Sequence, residues 1–470
     1  MQSSVRKELW ADLVNIIEGY LDENSDKSTP VVEYMKGTEL KKVLDLNLSD
    51  DACSYTDLLN EIKTYLKYST RTGHPQFNNQ LNGGFNFESM VGEIISYLGN
   101  ATMATFEVAP VATLMESKLV EEINSIIGYN DGDGIMLTGG SNANLMAIHC
   151  ARERMFPEMK NTGNNGKQLC VFVSADAHYS HKKAMMLMGL GIDNLVLVET
   201  DEQGRMLASD LDLKIEQTKE LGKIPLMVCS TVGTTVLGAF DPLTKINTVT
   251  KKHNLWHHVD GAWGGAVMFS SKYKYLLEGI SETDSYTFDA HKLMGSGLIT
   301  SFFTTKHKTI LAESNSGGGG AYIFHEYENA EFDTGRKSIQ CGRKVDALKF
   351  WLLWKAKGHK GFEAYVNEQY DKRDYLLSLI DESKNLKLIR DPEFLNVCFQ
   401  VIPEDKSVDI NQFNYELRYK IVKEGKILTN FSRFEDGTVF FRHVFANNIT
   451  QKEDLKHLVD TLVNSSFSSH

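Results

Sequence analysis

The sequence predicts an α/β fold: a mainly parallel sheet with covering helices, an N-terminal helical segment and a small C-terminal α+β domain. Three observations carry that expectation. Between about residue 133 and residue 304, six short apolar runs alternate with helix-like stretches. The runs are mostly continuous rather than alternating, as in strands buried on both faces. No run in the first 90 residues reads as a strand, whereas "NVCFQVI" and "TVFFRHV" return beyond residue 390.

In chain order, Leu9, Trp10, Leu13, Ile16, Ile17, Tyr20 and Leu21 recur at helical spacing and predict an amphipathic opening helix. More helix with polar connections follows to residue 90, and "HPQFNNQLNGG" (74–84) is punctuated by Pro75, Gly83 and Gly84 as an irregular segment. The predicted strands are "QLCVFV" (168–173), "NLVLV" (194–198), "PLMVCS" (225–230), "LWHHVD" (255–260), "DSYTFD" (284–289) and "LITSFFT" (298–304). The glycine run in "NSGGGGAYIF" (315–324) favours a loop, and "DALKFWLLWKAKG" (346–358) is a strongly apolar helix. The expected divisions are 1–90, 91–355 and 356–470.

The 470 residues carry a net charge of −12 and no basic stripe, which argues against a nucleic-acid partner held through its phosphates and for a small-molecule ligand. The six cysteines stand apart without a CxxC pair, as in a reducing compartment. Glu8 and Asp12 interrupt any signal-peptide core, and no stretch approaches the ~20 apolar residues of a membrane span. These features place the protein in the cytoplasm, away from membranes.

The chemistry gathers around "TFDAHKLMGSG" (287–297), where Lys292 stands in an otherwise apolar stretch. Most lysines reach into water. A partly desolvated one is instead a nucleophile able to hold an aldehyde covalently. Asp260 and Asp289 end two predicted strands, where ligands of parallel sheets collect. In "LTGGSNANLMAIHCARERMF" (137–156), Ser141 is placed to cap a helix whose free amides suit a phosphate, and "VSADAHYSHKKAMM" (173–186) supplies His178 and His181. A phosphate cradle, an imidazole, a strand-end carboxylate and a lysine together meet the needs of pyridoxal phosphate, whose ring nitrogen the carboxylate keeps protonated.

The chain resembles the group II pyridoxal-phosphate-dependent amino-acid decarboxylases, nearest the glutamate and cysteine-sulfinate enzymes, from about residue 70 to about residue 450. The resemblance rests on "HPQFNNQL", "TFEVAPVATLME", "SADAHYSHKKA", "VGTTVLGAFDPL", "LWHHVDGAWGG", "FDAHKLMG", "FDTGRKSIQCGRKVDALKFWLLWKAKG" and "FFRHV". It implies a fold-type I, aspartate-aminotransferase-like architecture and a homodimer with the active site at the interface. Lys292, in the family's His291-Lys292 signature, would bind the cofactor covalently. His178 would stack on its ring, Asp260 would pair with the ring nitrogen, Ala262 would pack on the other face and Thr231 would lie near the ring hydroxyl. Gly140, Ser141 and Asn142 would hold the phosphate. Arg442 would clamp the substrate α-carboxylate, and Tyr322 would return a proton to the product. Asn79 and Gln80 form a polar pair suited to an acidic side chain.

Three departures stand out. Asp289-Ala290 replaces the commoner Asn-Pro before His291-Lys292, so an acid stands where an amide usually meets the phosphate. Ala104 stands where the glutamate and cysteine-sulfinate enzymes place a ring, which implies a larger pocket, and Asn78 replaces an aromatic. The expected reaction is α-decarboxylation of an L-amino acid, foremost glutamate, aspartate or cysteine sulfinate. The alternatives are a bulkier or aromatic substrate, and a decarboxylation coupled to oxidative deamination. A metal hydrolase using His178, His181, His257, His258 and Asp260 is the rival of another class. It leaves Lys292 without a role, and His257 and His258, adjacent on a strand, face opposite sides. A silent, ligand-binding relative is countered by the presence of every essential group. No metal is implied.

Overall fold

A computed structural model describes residues 3–317 and 320–467. Gly318 and Gly319 of the glycine run, and the end of the polar tail, lie outside the described residues. The strands, in chain order, are β1 (Phe77–Asn78), β2 (Asp133–Leu137), β3 (Leu169–Ser174), β4 (Leu195–Val198), β5 (Ile224–Thr231) and β6 (Trp256–Asp260). They continue with β7 (Ser285–Asp289), β8 (Ser301–Thr305), β9 (Leu386–Leu388), β10 (Asn396–Val401), β11 (Leu428–Arg433) and β12 (Val439–Val444). The chain divides into two compact units.

The larger unit comprises Asn86–Tyr370 and Pro392–Leu395. Its seven-stranded sheet has the order β2-β8-β7-β6-β5-β3-β4. All neighbouring pairs are parallel except those made by β8, which runs against β2 and β7. The six predicted strands are all present. "DGIML" was not signalled as a strand, because it carries Asp133 and Gly134; it enters as β2 along β8. The central strands are buried along their length, so their apolar runs lack alternation for the reason expected. Helices Gly140–Met155 and Ser180–Leu187 pack on the sheet through Ala143, Met146, Ala147, Ala184 and Met185. An aromatic cluster supports another part of this unit: Phe350 lies 5.7 Å from both Phe302 and Phe362, and Trp354 stacks edge-on at 5.3 Å. Each such buried ring contributes roughly 1.5–3 kcal/mol.

Parallel pairing places Asp260 and Asp289 at the carboxyl ends of adjacent strands, and Thr231, last in β5, directly opposite Asp260. Behind them Arg343 makes a buried fork with Glu116, Nη1 to Oε1 at 2.7 Å and Nη2 to Oε2 at 2.8 Å, and also donates to the carbonyls of Met103 and Met136. This pair ties the segment around Ala104 to the edge of the sheet.

The smaller unit comprises the residues up to Phe85, Asp371–Asp391 and those from Asn396 onward. Helices Ser3–Ser25, Gly37–Val43 and Tyr55–Tyr68 answer the expected helical opening. The expectation that nothing before residue 90 enters a sheet fails at β1, which pairs in parallel with Leu428–Thr429. A two-residue strand is too short to show a period, and its partner lies far away in sequence. The remaining order is β1-β11-β12-β10-β9, antiparallel beyond the first pair. The apolar helix opening at Ala347 breaks at Gly358, whose φ of 62° is a left-handed setting that favours glycine.

Candidate active site

The site is built on strand ends of the larger unit. Asp260 is 5% exposed. Its Oδ2 accepts from Asn144 Nδ2 at 2.7 Å, its Oδ1 accepts from the Ala262 N–H at 3.1 Å, and His181 Nε2 stands 4.0 Å from Oδ2. Burial works against charge on this carboxyl, but His181, Lys292, the Asn144 amide and His178 outweigh it and hold the group below the ordinary carboxylate range. Burial pushes the His181 imidazole down to about 4, so it is neutral near pH 7.

Asp289 is buried, with Oδ2 3.3 Å from Lys292 Nζ and 3.8 Å from His291 Nε2. Its Oδ1 has no hydrogen-bond partner among the described residues. The Lys292 side chain retains 22% exposure, so the amine is paired yet reachable. His291 Nδ1 is 3.2 Å from the Thr300 N–H, which donates to it and fixes the ring. His178 follows β3; its Nδ1 accepts from the Ser180 N–H at 3.3 Å, leaving Nε2 to carry the proton of the neutral ring. Burial, countered by Asp260 and reinforced by Lys292, lowers its basicity.

Helix Gly140–Met155 begins against this cluster. Its N-cap is Gly139, at φ 101°, and no side chain caps it. The expectation that Ser141 caps the helix is therefore corrected: Ser141 lies inside the first turn, since the left-handed setting at Gly139 moves the helix start two residues earlier. Gly140 is required by close approach, because a Cβ there would stand 2.9 Å from Asp289 Oδ2 and 3.1 Å from Ala262 Cβ. Thr231 Oγ1 is buried without a partner among the described residues, while the Thr231 N–H donates to Asp241 at 2.7 Å. Orphaned polar atoms on Thr231 and Asp289, small residues at 140 and 262, and an anionic carboxyl at a strand end fit a flat, phosphorylated pyridine aldehyde.

A profile of the pyridoxal-dependent decarboxylase conserved domain matches residues 38–402. The chain belongs to that family. This decarboxylase is 36% identical over 459 residues to cysteine sulfinic acid decarboxylase of Mus musculus, covering 95% of this chain and 93% of that protein. It is 35% identical to acidic amino acid decarboxylase GADL1 of Bos taurus, covering 95% and 88%. Its fold matches a crystal structure of mouse CSAD with a TM-score of 0.96 at 35% identity, covering 99% of each chain. The protein is thus a fold-type I carboxy-lyase, and pyridoxal 5'-phosphate is its cofactor. Among the described residues no helix is long and apolar enough to cross a membrane.

Lys292, Asp260, Asp289, His291, His178, Thr231, Ala262 and Gly140 are all placed around these strand ends, and Ser141 and Asn142 in the first turn beside them. Ala104 is buried, its carbonyl accepting from the Gly335 N–H at 2.8 Å. Tyr322 is 84% exposed and stands outside the buried cluster around Asp260. In the smaller unit, buried Arg442 donates from Nη2 to the Asn79 carbonyl at 3.3 Å, and Gln80 is exposed. Asn144, Ser180 and Ser285 escaped sequence reasoning. Their one signal is spacing: Asn144 stands one helical turn after Gly140, and Ser285 begins the strand that ends at Asp289.

Proposed function

We propose that the chain decarboxylates an acidic L-amino acid, glutamate, aspartate or cysteine sulfinate, to its amine and carbon dioxide, as a cytoplasmic homodimer. The names of its full-length relatives support the acidic class. The observation that carries the catalytic reading is the juxtaposition of a reachable Lys292 with Asp289, next to a carboxylate at position 260 already supplied with donors.

When bound, the cofactor supplies an electron-accepting pyridinium ring to the carbon that loses carbon dioxide. Lys292 Nζ would be the nucleophile that anchors it covalently. Asp260 would keep the proton on its ring nitrogen, His178 and Ala262 would cover its ring, and Thr231 Oγ1 would meet its hydroxyl. The first turn at Gly140, Ser141 and Asn142 would receive its phosphate. Arg442 offers a planar fork to the substrate α-carboxylate, Asn79 and Gln80 meet its side chain, and Ala104 leaves room beside it. Tyr322, beyond the glycine run, would return the proton to the product. Exposed Ile95, Tyr97, Leu98, Val111 and Leu114, on helices Phe87–Gly99 and Pro110–Ile127, support the homodimer, since such apolar faces are usually covered.

The test is to incubate the purified protein with pyridoxal phosphate and a panel of amino acids, measuring carbon dioxide and identifying the amine. An acidic substrate preferred over aromatic ones is expected. Release of an aldehyde, or no turnover of any acidic substrate, would sink the proposal.

A further inference from the structure

Trp256, His258 and Asp260 alternate along β6 and share one face of the sheet. Only Asp260 has a part in the chemistry above, yet a continuous set of buried hydrogen bonds joins the three. Trp256 Nε1 donates to Ser285 Oγ at 2.8 Å, and Ser285 Oγ is 2.8 Å from His258 Nδ1. His258 Nε2 is 3.1 Å from Asn144 Oδ1, and Asn144 Nδ2 is 2.7 Å from Asp260 Oδ2.

The direction of every bond follows from the two ends. An indole only donates, and a carboxylate only accepts. Asn144 must therefore turn its NH2 toward Asp260 and its oxygen toward His258. His258 must carry its proton on Nε2, leaving Nδ1 to accept from the Ser285 hydroxyl, whose oxygen is free to accept from Trp256. The second Asn144 proton points at Ser180 Oγ, 3.0 Å away, and the Ser180 N–H is the donor to His178 Nδ1. Thr287 Oγ1, 3.3 Å from His258 Nε2, is a second acceptor for the same proton. Asn144, Ser180, His258 and Ser285 are each at most 1% exposed. A flipped amide would set oxygen against carboxylate at one side and leave a buried donor unpaired at the other, a cost of about 1–3 kcal/mol for each misplaced group.

We propose that Trp256, Ser285, His258 and Asn144 form a one-way hydrogen-bond relay that positions Asp260, with Asn144 joining that relay to the His178 segment. The relay rests on the role given above to Asp260 and deepens it. It moves no charge. Its bonds polarise one another in a low-dielectric interior, so the amide proton presented to Asp260 is a stronger donor than an isolated asparagine offers. Burial pushes His258 down to about 3, so the imidazole stays neutral and the polarity does not reverse across the working pH range. The other groups facing Asp260 are His181, Lys292 and His178.

The first measurement uses the unsubstituted, cofactor-free protein: nitrogen-15 NMR of labelled histidines, with His258 assigned by its loss in His258→Gln. A single Nε2–H form, unchanged between about pH 6 and about pH 8, is expected; an Nδ1–H form, or titration in that window, overturns the relay. The second is cofactor affinity, followed by fluorescence quenching. Asn144→Asp keeps the shape but removes the donor and sets a second carboxylate against the first. Affinity should fall about tenfold or more near pH 8 and recover toward about pH 6, as the pair takes up a shared proton. An unchanged affinity and pH dependence overturns the relay. Ser285→Ala, further from the cofactor, should weaken binding about threefold without lowering cooperativity of unfolding, and it keeps the test open if Asn144→Asp does not fold. Unchanged affinity in Ser285→Ala counts against the relay. Asp260→Ala separates the two failures: if it binds cofactor as tightly as the parent, the role of Asp260 fails, whereas the His258 form is read without cofactor and speaks to the relay alone.

Discussion

Two carboxylates end adjacent parallel strands, and their surroundings differ. Asp260, at the end of β6, receives an amide N–H on one oxygen and a backbone N–H on the other. Asp289, at the end of β7, has one oxygen shared by Lys292 and His291 and one with no partner. A buried carboxylate with fixed neutral donors is anionic before any ligand arrives. One whose main partner is a lysine amine depends on a group to which the proposed mechanism gives a part. In the protein alone the β6 carboxyl has a hydrogen bond on each oxygen, whereas the β7 carboxyl leaves Oδ1 without one among the described residues.

The largest difference between the two ends should show in acid. His257 and His258 belong to β6 and His181 stands near Asp260; burial pushes His181 down to about 4 and the other two to about 3. His257 is held neutral between Ser230 and Asn247, each 2.7 Å away. For a base whose folded-state value is depressed, the unfolded chain takes up the proton first. Stability from these groups is therefore full above about pH 6.5 and falls with pH until the folded values are reached. By about pH 5 the loss should be on the order of 5 kcal/mol, comparable with the whole stability of many domains. Thermal melts against pH, with hydrogen exchange to locate the opening, check this; a melting temperature flat from about pH 7 to about pH 5 would contradict it.

Next in size is the catalytic contrast. Asp260→Ala should lower turnover on the order of 10³-fold, about 4 kcal/mol, because the charge proposed to keep the ring nitrogen protonated is gone. Asp289→Asn should stay within about tenfold, since an amide retains one acceptor and fills the same space. Steady-state kinetics at saturating cofactor decide; equal losses in the two variants would erase the distinction between the ends.

Much of this was legible beforehand, for identifiable reasons. Strands buried on both faces leave continuous apolar runs, so β3 to β8 could be read off with small errors at their ends, and parallel pairing then put Asp260 and Asp289 together. Lys292 drew notice because an ammonium in an apolar stretch needs a reason, and the fold sets it beside Asp289. Asn144 was not: an asparagine in a helix reads as a weak helix former, and only the fold brings its amide to a strand end. The Ser141 cap failed because a positive φ at Gly139 is a property of the backbone that "TGGS" permits without specifying. β1 failed because pairing with β11 spans most of the chain.

Removing the lysine would sharpen the contrast from the β7 side. Lys292→Met leaves Asp289 buried with only His291 beside Oδ2, and burial pushes His291 toward its neutral form. A loss of about 2 kcal/mol in stability is expected, and Lys292→Met with Asp289→Asn should recover most of it. A double-mutant cycle by denaturant unfolding measures the coupling, and a coupling near zero would mean that the Asp289–Lys292 contact is not what compensates the carboxylate's burial.

The smallest effect expected is at His181, and it separates stability from function. Its Nε2 lies 3.5 Å from Cys229 Sγ and 4.0 Å from Asp260 Oδ2, and its Nδ1 has no partner among the described residues. An imidazole buried with an unpaired nitrogen contributes little that an isosteric apolar group would not, so His181→Leu should change stability by less than about 1 kcal/mol near neutral pH. Cofactor affinity should behave differently. His181 is the strongest of the groups that hold the Asp260 carboxyl below its ordinary range, so without it burial is opposed by Lys292, Asn144 and His178 alone, and the carboxyl takes up its proton at higher pH. The acid limb of cofactor binding should therefore move upward in His181→Leu while the plateau near pH 8 is retained. A loss of affinity uniform across pH would instead show that the imidazole acts by packing, and the β6 end would then owe its anionic state to Asn144 and Ala262.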